Sequence, residues 1–124
     1  MKLTDLAIGD LILINNTPHK IQAIDIIDAE VQADDELYYV GEDRCHSEDK
    51  IEGIPITPEI LEKNGWWYDS DDMWQHEEVG FYIEKWNGRF QCYDINDIKL
   101  DSVHQLQQTL RLCGLNELAD NFKV

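Results

Sequence analysis

The residue types that carry out chemistry in proteins are present in this chain, but not at the spacings of catalytic motifs. Cys45 and His46 are neighbours, yet adjacent side chains on an extended chain point apart, and no glycine-rich oxyanion segment accompanies them. His104 follows Asp101 near the start of a predicted helix, where a surface histidine is favoured over a general base. The chain has no GxxxxGKS, GxGxxG, HExxH or GxSxG string, so we predict that it is not an enzyme and binds no cofactor.

The candidate metal ligands are also scattered. Cys45, Cys92 and Cys113 are far apart, and neither CxxC nor HxxxH spacing occurs, so no metal site is predicted. An odd number of cysteines without a secretory signal indicates reduced thiols in a cytoplasmic protein, with Cys92 and Cys113 on buried apolar faces. The 26 acidic residues leave one alternative from another class, a small metal-dependent enzyme with carboxylate ligands.

The acidic residues are concentrated in the middle of the chain. Of 124 residues, 26 are acidic and ten are Lys or Arg, which gives a net charge of −16. Residues 21–84 contain 19 of the acidic residues and three basic ones, so this segment accounts for the whole net charge. Direct nucleic-acid binding is excluded because phosphate contacts require positive surface. Membrane insertion is excluded because no apolar run approaches the roughly 18 to 20 residues that cross a bilayer.

Two hairpins are predicted in the second half of the chain. Residues 66–68 and 73–74 flank a polar turn at 69–72, and residues 79–86 and 89–95 flank Asn87-Gly88. Asn-Gly is the preferred type I′ turn, since both positions accept positive φ. A two-residue turn pairs Trp86 with Arg89 and Tyr82 with Tyr93 on one face. It assigns the opposite face, with Ile83, Phe90 and Cys92, to the core.

Acidic and aromatic residues together define the candidate interaction surface. The acidic segment is interpreted either as a solubilising surface or as a face that binds a basic partner. Some of the aromatic residues in the two hairpins must lie in the core. An exposed aromatic patch bordered by acidic residues is typical of protein interfaces, including those of homodimers. The candidate residues are Asp34, Asp35, Glu36, Asp69, Asp71, Asp72, Glu77, Glu78, Tyr82, Trp86 and Tyr93.

The first half predicts five short strands that resemble a small SH3-like barrel. Turn residues separate the segments 11–14, 19–25, 30–33, 37–40 and 51–56. One helical turn at 47–50 is expected before the last strand. A short helix at 57–65 follows, with Thr57 as its N-cap, Pro58 at the first helical position and Gly65 as its stop.

The chain is predicted to end in an amphipathic helix that covers the sheet formed by the two hairpins. Ser102 and Gln105 have the spacing of a capping box. One apolar stripe is predicted to face the sheet, formed by Val103, Leu106, Leu110 and Cys113. The residues predicted to face away are Gln105, Gln107, Gln108 and Arg111.

Three segments resemble an uncharacterised family of small proteins of Bacteroides-type bacteria, associated with phages and mobile elements. Residues 53–66 look like the PIPLTPEILEKNGF segment of that family, and residues 103–107 and 110–114 resemble its closing VHQLQHALRLCG. The opening residues 6–11 are similar to its LRIGNWV segment. The resemblance spans the chain but does not cover the acidic residues 25–49 and 69–78. It implies a phage or mobile-element origin and a single domain, and it supplies no catalytic residues.

These observations predict an α+β protein that forms a single domain over residues 1–124. Its sub-units are an SH3-like set of strands at 1–57 and, at 58–124, a helix, two hairpins and the C-terminal helix. The expected function is that of a non-catalytic, acidic accessory module that binds a basic protein surface in the cytoplasm of a bacterial host. A sharper hypothesis is that its charge imitates a nucleic-acid backbone. A virion structural component is a further alternative.

Overall fold

Two antiparallel sheets and several short helices form the structure, a computed structural model that describes residues 2–40, 49–93 and 98–124. The predicted α+β class is confirmed, including a small barrel-like sheet in the N-terminal half. The chain divides into two units, Met1–Ile54 and Pro55–Val124. Of the helices in the described ranges, none has the length and apolar character that a bilayer crossing requires.

The N-terminal unit is a curled five-stranded sheet with the order β4-β3-β2-β1-β5. Its strands, preceded by a 3₁₀ helix at Leu3–Asp5, are β1 (Leu11–Ile14), β2 (Thr17–Asp25), β3 (Glu30–Ala33), β4 (Glu36–Tyr39) and β5 (Ile51–Gly53). A register shift between Ile21 and Ala23 marks a bulge in β2, and bulges increase strand twist, which helps the sheet to curl. All five predicted strands are present, although the last one ends at Gly53 and not at residue 56. The helical turn predicted at 47–50 lies partly outside the described residues.

Short turns and alternation set the core of this unit. Asn15 and Asn16 have φ of 50° and 68°, and Asp34 and Asp35 have φ of 51° and 62°. Asn and Asp tolerate this left-handed region better than other non-glycine residues, so both turns suit tight hairpins. The strands alternate between a buried and a more exposed face, and the buried face contains Ile12, Ile14, Ile21, Val31 and Ala33.

The C-terminal unit is a four-stranded antiparallel sheet, in the order β6-β7-β8-β9, with three helices in its described residues. Its elements are α1 (Pro58–Lys63), β6 (Trp66–Tyr68), β7 (Met73–His76), β8 (Ile83–Trp86), β9 (Arg89–Cys92), α2 (Val103–Leu112) and α3 (Asn116–Asp120). The predicted short helix is confirmed as α1. The Thr57 hydroxyl oxygen accepts a hydrogen bond from the Ile60 amide at 3.2 Å, which makes Thr57 the N-cap.

The register predicted for the last hairpin is confirmed. Trp86 pairs with Arg89 and Ile83 pairs with Cys92, because Asn87 and Gly88 adopt the positive φ values of 51° and 78° that a two-residue turn needs. The predicted core residues of this hairpin are buried, namely Ile83, Phe90 and Cys92. The sheet therefore has one face in the core and one face directed to solvent.

Helix α2 is buried on more faces than its apolar stripe predicts. Val103, Leu106 and Leu110 are buried as predicted. The outward placement predicted for Gln107 is wrong, because its side chain is fully buried and its amide nitrogen donates to the Ala119 carbonyl of α3 at 2.9 Å. The neighbouring helix α3 thus turns a polar position of α2 into a core position.

Two further predictions for this helix are corrected. The surface position predicted for His104 is wrong, since the residue is only 5% exposed and its Nδ1 lies 3.0 Å from the Ser102 hydroxyl oxygen. Cys113, predicted to be buried, is exposed. It caps the helix one residue beyond the last turn, where the helical periodicity no longer determines which way a side chain faces.

We expect Gln107→Ala to destabilise the fold more than an apolar truncation at an exposed position of the same helix. The substitution removes a buried amide and leaves the Ala119 carbonyl without that donor, at a cost of about 2 to 3 kcal/mol. Leu112→Ala is the matched control, because Leu112 is 85% exposed and its loss should change the unfolding free energy by less than about 0.5 kcal/mol. Urea denaturation measures both. Equal effects would contradict the burial described for this helix.

Candidate functional site

The outer face of the four-stranded sheet carries a row of aromatic side chains. Trp67 of β6 pairs with Gln75 of β7, and the pairing of Trp74 with Ile83, continued by one residue, places Gln75 beside Tyr82. The Tyr93 amide donates to the Tyr82 carbonyl at 2.9 Å. One row therefore crosses all four strands, over about 14 Å at the usual strand spacing.

These aromatic rings are accessible to a partner. Trp67 is 46% exposed, Tyr82 38%, Trp86 59% and Tyr93 52%. Trp86 lies near the turn of the last hairpin, opposite Arg89. Together Trp67, Tyr82, Trp86 and Tyr93 are called the aromatic face. Two other aromatic residues of the sheet, Trp66 and Trp74, are buried. This is expected because a small core needs large apolar side chains.

Carboxylates lie at both ends of β7, beside the aromatic face. The turn before β7 contains exposed Asp69, Asp71 and Asp72. The Asp72 carbonyl accepts from the Lys85 amide at 2.8 Å, so this turn lies next to the Trp86 end of β8. Asp71 and Asp72 have φ of 63° and 58°, which shows that they also serve the turn. After β7, exposed Glu77 and Glu78 begin the connection to β8.

The remaining predicted site residues belong to the N-terminal unit. Asp34 and Asp35 form the turn between β3 and β4, and Glu36 begins β4. The Asp34 carboxylate is hydrogen-bonded to Nδ1 of His19, and the His19 ring lies 5.4 Å from that of Tyr38. Asp34 and Glu36 therefore form a cluster with His19 and Tyr38, whereas the Asp35 amide donates to the Gln22 side-chain oxygen at 2.8 Å. The structure places all three acids in a different unit from the aromatic face.

Two exposed aromatic residues of β6, Trp67 and Tyr68, are missing from the surface predicted from the sequence. Trp67 lies in the row with Tyr82 and Tyr93, although the sequence pattern places it only beside the 69–72 turn. The register of the first hairpin would have found it, because alternation along β6 sends Trp66 inward and Trp67 outward. Met73 and Gln75 share the outer face for the same reason.

The polar side chains on the outer face of this sheet are hydrogen-bonded to one another. Asp69 accepts from the Gln75 amide at 2.7 Å, and Glu84 accepts from the Gln91 amide at 3.1 Å. In the parts of the chain that the structure describes, no three His, Cys, Asp or Glu side chains are grouped to hold a metal ion. The outer face therefore combines aromatic rings with carboxylate and amide groups, and with Arg89 and Lys99, which pair with Trp86 and Gln91.

The cluster in the N-terminal unit raises the pKa of one phenol. The Tyr38 hydroxyl donates to a Glu36 carboxylate oxygen at 3.1 Å. Desolvation is the largest cause that raises the pKa of Tyr38 above its usual 10.0, followed by the hydrogen bond to Glu36 and the negative charges of Glu36, Asp34 and Asp49. All of these influences favour the neutral phenol, so the folded chain holds this proton more tightly than the unfolded chain does.

We expect Glu36→Gln to lower the pKa of Tyr38, because one negative charge is removed while an acceptor remains. Phenolate absorbance measures this, with Tyr38→Phe identifying the phenol and Asp28→Asn as a control that removes a different exposed carboxylate. The stability linked to this raised pKa is present below the unfolded value and is lost as pH rises through the folded value. An unchanged Tyr38 titration in the Glu36 variant would contradict the described cluster.

Comparison with known proteins adds no second source of functional information. No family model, curated protein or solved structure matches this chain. The family suggested by residues 53–66 and 103–114 therefore stays a prediction. The aromatic face and its neighbouring carboxylates are the features from which a function is argued.

Proposed function

We propose that this protein is a non-catalytic, acidic accessory module that binds a basic protein segment through the aromatic face. The exposure of Trp67, Tyr82, Trp86 and Tyr93 on one side of a sheet, in a chain of net charge −16, supports this most directly. The resemblance of residues 53–66 to a phage- and mobile-element-associated family supports an origin of the protein in a phage or mobile element.

Aromatic side chains are unusual occupants of a solvated sheet face. An antiparallel sheet with one buried face normally presents polar residues on the other. Here the outer neighbours of buried Ile83 and Cys92 are Tyr82 and Tyr93, both exposed. Leaving large aromatic surface in water forfeits the free energy that burial would supply. Such patches commonly mark protein interfaces, where Trp and Tyr act as anchors.

The charge around the aromatic face favours a cationic partner. Asp69, Asp71 and Asp72 lie beyond one end of β7, and Glu77 and Glu78 lie beyond the other. Lysine and arginine side chains of a partner could pair with these carboxylates and stack over the rings through cation–π contacts. Phosphate-bearing ligands would be repelled. A partner that itself binds nucleic acid would present suitable basic surface, which is the sharper form of the proposal.

A defined basic peptide tests the proposal without the natural partner. We expect a fluorescein-labelled nona-arginine peptide to bind wild-type protein, and its affinity to fall steeply as salt rises from about 50 to 200 mM, because the carboxylates are screened. Fluorescence anisotropy measures the affinity. Binding that does not respond to salt would remove the electrostatic basis of the proposal.

Matched variants locate the binding surface. Trp67→Ala with Trp86→Ala should weaken peptide binding roughly tenfold or more, as expected for aromatic anchors. Ile26→Ala with Ile27→Ala is the control, since both isoleucines are exposed in the N-terminal unit, at 67% and 95%. Equal losses in both double variants would overturn the assignment to the aromatic face. Concentration-dependent sedimentation that disappears in the tryptophan variant would instead identify a second copy as the occupant.

A further inference from the structure

A cleft of about 350 Å³ lies in the C-terminal unit, at the end of the sheet where β6 begins and β7 ends. Small-molecule sites typically enclose roughly 300 to 1,000 Å³ and have apolar walls with a few polar groups. Trp66, Leu110 and Phe122 supply buried apolar surface to this cleft. Its volume is therefore that of a site for a small organic molecule.

Two lysines line the cleft, and the segments that carry them are joined. Asn64 ends α1, and its side-chain amide donates to the Lys123 carbonyl and accepts from the Lys123 amide, both at 2.8 Å. These two hydrogen bonds tie the end of α1 to the C-terminal segment, and Lys63 and Lys123 from these two segments both line the cleft. Neither lysine takes part in an ion pair found among the described residues.

Two acidic residues also line the cleft. Glu78 comes from the connection after β7, and Glu117 comes from α3. Within the described part of the chain, neither glutamate is paired with a lysine of the cleft. Two basic and two acidic residues thus line the cleft together with buried apolar residues.

The wall that contains His76 is held in place from three directions. Its Nδ1 accepts from the Glu78 amide at 3.0 Å, so in this arrangement the hydrogen of the neutral ring is on Nε2. The ring meets Trp66 edge-on, with centroids 5.4 Å apart. On the third side it lies against Gly65, where a Cβ would stand 2.9 Å from Nε2 and where φ is 83°. Glycine at 65 is thus needed for this wall.

We propose that this cleft binds a small zwitterion of the amino-acid type with an apolar side chain. The carboxylate of the ligand lies toward Lys63 and Lys123, its ammonium toward Glu78 and Glu117, and its side chain on the floor that includes Trp66. Charge-assisted hydrogen bonds are strong and directional. A ligand with one charge leaves one pair of side chains opposed to it, whereas a zwitterion satisfies both, and this difference provides specificity.

Three probes of one shape test the charge requirement. L-phenylalanine has both charges, N-acetyl-L-phenylalanine lacks the ammonium, and L-phenylalanine amide lacks the carboxylate. Titration in ¹H–¹⁵N correlation spectra to about 20 mM covers the affinity range of weak sites. We expect L-phenylalanine to shift the Trp66 indole signal and the Asn64 and Lys123 amides, and each blocked analogue to bind at least about fivefold more weakly. No shift with L-phenylalanine, or equal binding of either analogue, would overturn the proposal.

Charge-removing variants locate the contacts. Lys123→Gln and Glu117→Gln should each weaken L-phenylalanine binding roughly tenfold, and both residues are exposed, so the fold should persist. Lys99→Gln and Glu59→Gln remove the same charges from exposed positions that do not line the cleft. A uniform loss in all four variants would indicate a general charge effect and contradict the site. The spectra report folding of each variant in the same experiment.

Discussion

The two-residue turn at Asn87 and Gly88 determines which side chains of the C-terminal sheet are buried. Its positive φ values set the register of β8 against β9, and side chains alternate strictly between faces in a strand. Once Ile83 enters the core, Tyr82 must face outward. A slip of one residue would exchange the two sets. The register that buries one set of side chains therefore also places the aromatic face on the opposite side of the sheet. Its position depends on a turn that does not itself need to contact a partner.

The helices of the same unit depend on each other in a comparable way. Gln107 is accommodated inside the protein because α3 supplies a carbonyl within hydrogen-bond distance, since a buried amide without a partner is costly. The connection from α2 to α3 uses Gly114 at φ of 78°, which lets the chain turn back. The same return brings the C-terminal segment to Asn64, so one reversal of direction both completes the core and closes one side of the cleft.

Local chemistry made most of the fold predictable from the sequence. Thr57 and Pro58 signalled the start of α1, and Asn87-Gly88 gave the register of the last hairpin, because caps and tight turns depend on residues close in the chain. Gln107 and His104 were misplaced because their burial depends on neighbours that periodicity along one helix does not reveal. The five strands of the N-terminal unit were found from alternation and turn residues, although the sequence alone did not reveal the bulge in β2.

The candidate site was less predictable than the fold. Tyr82, Trp86 and Tyr93 were found because one turn aligns them, but Trp67 belongs to another hairpin and joins them only through the pairing of β7 with β8. Asp34 to Glu36 share composition with Asp69 to Asp72, and composition does not state which unit a residue belongs to. The cleft residues come from five separate segments, and no sequence spacing connects them.

The backbone conformation of the acidic turns does not depend on their negative charge. Asp34, Asp35, Asp71 and Asp72 all occupy left-handed backbone positions that asparagine, which is neutral, would fill equally well, as it does at Asn15 and Asn16. The backbone conformation at these positions therefore requires only a short polar side chain. The negative charge is not needed for that conformation, and it introduces mutual repulsion. Asparagine at Asp35, Asp71 and Asp72 would keep the architecture of these turns and raise thermal stability at low ionic strength, whereas the Asp34 carboxylate is also bonded to Nδ1 of His19. The surface charge at these turns can therefore vary while the backbone fold stays the same.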